Sequence, residues 1–87
     1  MPQNTFEAVR AEALFASQVQ SSDQPTDVEV RGAVAATLRK LGIRGCAAAV
    51  ACEYGEHPET ACGRMAWALA QVRATYRLTR AELALAS

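Results

Sequence analysis

The chain has 87 residues, with nine basic and nine acidic side chains and a formal net charge of zero. This length holds one domain and excludes two independent cores; such a domain buries roughly 60–65% of the surface its unfolded chain exposes. No segment is long and apolar enough to span a bilayer, and much of the 51% hydrophobic content is alanine, so a few large side chains must carry the core.

The charges are segregated. Residues 1–29 hold Glu7, Glu12, Asp23, Asp27 and Glu29 against Arg10 alone, whereas the remainder holds Arg31, Arg39, Lys40, Arg44, Arg64, Arg73, Arg77 and Arg80 against Glu53, Glu56, Glu59 and Glu82. An acidic leading segment with no basic stretch before an apolar run does not read as a signal peptide. Three cysteines without paired spacing do not read as a disulfide framework, so the expected setting is a reducing cytoplasm.

In chain order, Asn4 and Glu7 form a capping-box-like start to an acidic leading helix over residues 1–20. On it Phe15, Val19, Ala8 and Ala11 form one apolar side and Phe6, Val9, Ala13 and Ala16 a second. Residues 21–25 (Ser-Ser-Asp-Gln-Pro) form a loop that joins it to a helical core over 26–87. Thr26 and Glu29 form a capping box for a second helix, in which Val30, Val34, Thr37, Leu38 and Leu41 recur at helical spacing and Gly42 is the C-cap. Cys46 to Tyr54 reads as a short third helix anchored by Val50 and Tyr54 and stopped at Gly55. Pro58 suits the first position of a long fourth helix over 58–78, and Thr79 with Glu82 implies either a break and a last short helix or a continuation that frays. The expected fold is all-α, a compact bundle of four to five helices with the long helix at its centre. The expected core is Val30, Val34, Leu38, Leu41, Val50, Tyr54, Met65, Leu69, Val72 and Tyr76.

The fourth helix is apolar on two sides. Ala61, Met65, Leu69, Val72 and Tyr76 form one stripe; Gly63, Trp67, Ala70, Ala74 and Leu78 form the opposite one. The second stripe serves either as packing for neighbouring helices or as an interface, where small residues admit a partner helix and Trp67 anchors it. Gly63, Trp67, Ala70 and Ala74 are therefore candidate protein-contact residues, in a homodimer or with another protein.

Other motifs carry less. Residues 50–61 resemble a helix-turn-helix, with Ala51 at the helix contact, Gly55 at the turn and Ala61 and Met65 at buried positions of the second helix. The resemblance extends over 26–78 and implies DNA binding through Thr60 and Arg64, flanked by Arg73 and Arg77. Glu56 stands where that motif wants an apolar residue, and Glu56, His57, Pro58 and Glu59 make the start of the reading helix acidic where phosphates would approach. Cys46, Cys52, His57 and Cys62 are zinc-ligand types but lack knuckle spacing, so no metal is assigned. Glu53, Glu56, His57, Glu59 and Thr60 cluster without any recognised catalytic motif, so neither an enzyme activity, a small-molecule substrate nor a cofactor is expected. Arg73, Arg77 and Arg80 share a helix side and are placed to meet Glu7 and Glu12 of the first helix.

The stretch from Arg44-Gly45-Cys46 through Glu53-Tyr54-Gly55 to His57-Pro58-Glu59-Thr60-Ala61 and Arg64-Met65, with the lead-in Ser22-Asp23-Gln24-Pro25, resembles small all-helical proteins of unknown function from high-GC bacteria. That resemblance implies an all-α fold and a cytoplasmic bacterial setting, and it transfers no site residues. The expected function is a non-enzymatic interaction protein that self-associates through helix 58–78 or the N-terminal helix, with a small DNA-binding regulator as the alternative.

Overall fold

The computed structural model describes the backbone of residues 5–86 and the side chains through Tyr76. Three α-helices account for it: α1 (Thr5–Ala16), α2 (Asp27–Glu56) and α3 (Pro58–Ala86), with one short 3-10 turn at Ser21–Asp23. The capping residue Asn4 and its partnership with Glu7 lie outside the described residues.

The first element is shorter than its apolar pattern. α1 ends at Ala16 rather than near Gln20, because Ser17 closes it. The Ser17 hydroxyl donates to the Leu14 carbonyl at 2.6 Å, and the Ser17 amide donates to the same oxygen at 3.1 Å. A serine just past a helix end competes for the last carbonyls in this way. The next helix starts as the capping box requires. The Glu29 amide donates to Thr26 Oγ1 at 3.2 Å and the Thr26 amide donates to Glu29 Oε1 at 2.8 Å.

The expected count of four to five helices is corrected to three. Gly42 does leave the helical region, at φ 74° and ψ 171°, so two helical segments meet across a kink there with no loop between them and together make the single element α2. A left-handed φ with extended ψ is open to glycine and nearly closed to residues with a Cβ. Of the two readings at Thr79, continuation holds, and α3 runs on to Ala86. Between α2 and α3 the connection is His57 alone. Its amide donates to the Glu53 carbonyl at 2.7 Å and its carbonyl accepts from the Ala61 amide at 2.8 Å. Pro58, which has no amide hydrogen to satisfy, then occupies the first turn of α3.

The core sits around α1, not around the long C-terminal helix. Ala11, Ala13, Leu14 and Phe15 are buried and pack against Val30, Val34, Cys46 and Val50 of α2 and Ala61, Ala68 and Val72 of α3. α1 touches both long helices more extensively than they touch each other. The expected core residues Val30, Val34, Val50 and Val72 are buried, and Leu38, Met65, Leu69 and Tyr76 line the margin. Leu41 and Tyr54 are corrected: they are 40% and 36% exposed. Leu41 immediately precedes the Gly42 bend. Tyr54 lies in the run 51–60, every residue of which is exposed, so the α2–α3 hairpin tip projects beyond the core.

The bend makes a direct demand on sequence. Gly42→Ala is expected to lower stability by about 1–3 kcal/mol through backbone strain alone, since nothing lies within 4 Å of the added methyl. Urea unfolding of the two chains measures this, and equal midpoints would show that the bend relaxes freely.

Candidate functional site

The densest set of specific contacts joins the end of α1 to α3. A helix end leaves its last carbonyls without intrahelical donors, and α1 has neither a basic residue in its last turn nor a glycine cap. Arg64, nearly two turns into α3, supplies the missing donors. Its Nε donates to the Phe15 carbonyl at 2.9 Å, and its Nη2 lies 3.3, 3.0 and 2.9 Å from the carbonyl oxygens of Leu14, Ser17 and Val19. The cation also sits at the negative end of the α1 dipole. Burial pulls the guanidinium below its ordinary pKa, and the nearby Glu53 carboxylate partly restores it; an arginine stays charged through such a change.

Aromatic rings extend this contact in both directions. The Arg64 guanidinium lies 5.6 Å from the Phe15 ring centroid and 5.2 Å from that of Trp67. On its far side Phe15 stacks on Tyr54, with centroids 6.2 Å apart and planes at 15°. Tyr54, Phe15, Arg64 and Trp67 thus form a ladder across the three helices. Two open grooves flank its arginine. One, of about 280 Å³, is lined by Gln20, Ser21, Glu59, Thr60, Gly63, Arg64 and Trp67; the other, of about 330 Å³, by Phe15, Ala16, Ala49, Cys52, Glu53 and Arg64.

A second set of contacts ties the opposite end of the bundle. Arg31 donates to the Thr75 carbonyl at 3.0 Å, and the buried Thr75 hydroxyl donates to Asp27 Oδ1 at 3.2 Å. The guanidiniums of Arg10 and Arg31 lie 4.0 and 4.9 Å from the Tyr76 ring centroid. Arg73 pairs with Glu7 at 3.1 Å, as the charge segregation suggested. Among the described residues every buried side-chain nitrogen and oxygen has a hydrogen-bond partner, so no buried polar group is left aimed at a ligand.

These contacts redistribute the residues singled out in the sequence. Of the interface set, Gly63, Ala70 and Ala74 are exposed and Trp67 is half-buried between them, so all four share the outward side of α3. Of the nucleic-acid set, Thr60 is exposed, Arg64 is bonded to α1, Arg73 is paired with Glu7, and the Arg77 side chain lies outside the described residues. The helix-turn-helix resemblance has Ala51 at a helix contact and Gly55 at a turn; in the structure Ala51 is exposed and Gly55 is helical. Cys46 is buried, while Cys52 and Cys62 are exposed, and no three cysteine, histidine or acidic side chains converge as a metal site among the described residues. The acidic neighbour Glu56, which accepts from Cys52 Sγ at 3.6 Å, raises the Cys52 thiol pKa, opposite to what a nucleophile needs.

Compared with known protein families, with curated proteins and with solved structures, the chain gives no match.

Two outcomes are expected at this site. Arg64→Lys keeps the charge but loses the fork that spans several carbonyls, and is expected to cost about 2–4 kcal/mol, with amide exchange accelerating first in α1; a lysine chain as stable as the parent would reduce Arg64 to a surface charge. Cys52 is expected to react with a thiol reagent only at higher pH than an unperturbed cysteine, because a raised pKa keeps it protonated. Glu56→Gln should shift that profile down, and an unchanged profile would remove Glu56 as the cause.

Proposed function

We propose that this protein is a non-enzymatic interaction module that self-associates through the outward face of α3. One observation carries the reading. Gly63, Ala70 and Ala74 are exposed along one side of α3, with Trp67 set among them, and a methyl at Gly63 would meet nothing within 4 Å. A glycine inside a helix costs roughly 1 kcal/mol relative to alanine, and here no intramolecular contact requires it. Close approach of another helix gives it a reason. Trp67 offers a large, half-covered ring whose position is set by Arg64, the arrangement of an interface anchor rather than of a mobile surface residue.

The DNA-binding alternative gains no observation. Its intended base reader is occupied by four carbonyls, and the projecting tip presents Glu53, Glu56 and Glu59.

Two substitutions separate association from folding. Gly63→Ala is expected to raise the stability of the isolated chain by about 0.5–1 kcal/mol while weakening association, and Trp67→Ala to weaken association about tenfold or more. Sedimentation equilibrium and urea unfolding read the two effects. Association unchanged in both chains would overturn the proposal, and salt-sensitive binding of random-sequence duplex DNA would put the DNA reading in its place.

A further inference from the structure

The second half of α2 carries a face that the bundle leaves uncovered and that the α3 contact does not use. From Ile43 to Gly55 the helix turns Cys46 and Val50 inward, and its outward side is Ile43, Arg44, Ala47, Ala48, Ala51 and Cys52, all exposed. Ile43 is 59% exposed and adjoins Leu41, which is 40% exposed, so the apolar surface is largest at the Gly42 end. The face has no charge between Arg44 and Glu53.

Its two ends carry opposite charge. Residues 30–52 contain Arg31, Arg39, Lys40 and Arg44 and no acid; residues 45–63 contain Glu53, Glu56 and Glu59 and no lysine or arginine. Arg39, Lys40 and Arg44 are exposed beside the Gly42 bend, and the three glutamates are exposed at the hairpin tip, where Glu56 accepts from Cys52 of this face, Glu53 stands near Arg64 and Glu59 borders the Trp67 groove. None of these six forms an ion pair among the described residues. About 18–20 Å of helix separates the two ends, at 1.5 Å per residue.

We infer that this face of α2 pairs with the same face of a second copy, in antiparallel orientation about a two-fold axis. Charge complementarity selects both occupant and direction. A parallel copy would set bases against bases and glutamates against glutamates. An antiparallel copy sets the basic end of each α2 against the acidic end of the other, twice, by symmetry. Ala47, Ala48 and Ala51 at the middle permit a close interaxial approach, and Ile43 gains cover at each end. A pair of helix faces this short lies near or below the roughly 1,200 Å² low end of stable interfaces, so the dimer is weak and held by charge. It is distinct from the α3 contact, and a chain with both faces intact assembles beyond a dimer.

The test is sedimentation equilibrium on the full chain carrying Trp67→Ala, which weakens the α3 contact. At low salt this chain is expected to dimerise, and at high salt to become monomeric. Arg39→Glu with Arg44→Glu, or Glu56→Lys, each added to that background, is expected to give a monomer. An equimolar mixture of the two is expected to restore a dimer, because each reversed end now finds its opposite. Ala48→Glu charges the middle of the exposed face without touching either end, and is expected to weaken dimerisation about tenfold even if an end reversal perturbs folding. A Trp67→Ala chain that is monomeric at low salt, or a mixture that fails to pair, overturns the inference while leaving the α3 reading standing. Salt-sensitive binding of the monomer to duplex DNA or anionic vesicles, with no dimer, also overturns it. Parent and Trp67→Ala chains that associate alike would instead overturn the α3 reading and leave this one.

Discussion

The capping of α1 by Arg64 is the constraint on which the other contacts depend. A twelve-residue helix is marginal by itself, and this one ends without a glycine or a cation of its own. Its last carbonyls point into the bundle, where an unpaired carbonyl is costly. Arg64 answers several of them from a neighbouring helix and so determines where α1 stops relative to α3. Phe15 and Trp67 are then held at the guanidinium, Tyr54 is drawn against Phe15, and the core residues of α1 are placed between the two long helices. The contact is structural, yet it also sets the pose of Trp67 on the outward side of α3.

Punctuation by local backbone chemistry was legible in the sequence. The Thr26–Glu29 box, the special backbone at Gly42 and the start of α3 at Pro58 each depend on a residue and its immediate neighbours, and each stands where the pattern put it. What Gly42 does to the helix count was not legible, because a single left-handed residue can end a helix or merely bend it, and tertiary packing decides which.

The packing was legible only in part, and alanine is the reason. The expected stripe of α3 held Ala61 and Val72, which are buried, and Met65, Leu69 and Tyr76, which lie at the margin, but left out Ala68 and Thr75, which are buried. Where helices approach closely the innermost positions go to small side chains, and hydrophobic periodicity gives those little weight. Arg64 was misplaced for a related reason. Its partners lie 45–50 residues away and are backbone carbonyls, which no sequence pattern marks. The one available signal was negative: α1 has no basic residue in its last turn and no glycine after it. Arg73 and Glu7 were paired correctly because both members are charged side chains.

The one-residue link at His57 has a consequence for evolution of the chain. With no slack between two helices of about thirty residues, their rotational phase is locked, since each residue added or removed near the start of α3 turns everything beyond it by about 100°. One such insertion between Pro58 and Arg64 would swing the arginine off the end of α1 and, in the same rotation, carry Ala68 and Val72 out of the core. Length change in this hairpin is therefore tolerable only in whole turns, in steps of three or four residues, whereas the segment between α1 and α2, ten residues from Ser17 to Thr26, can vary freely in its exposed portion.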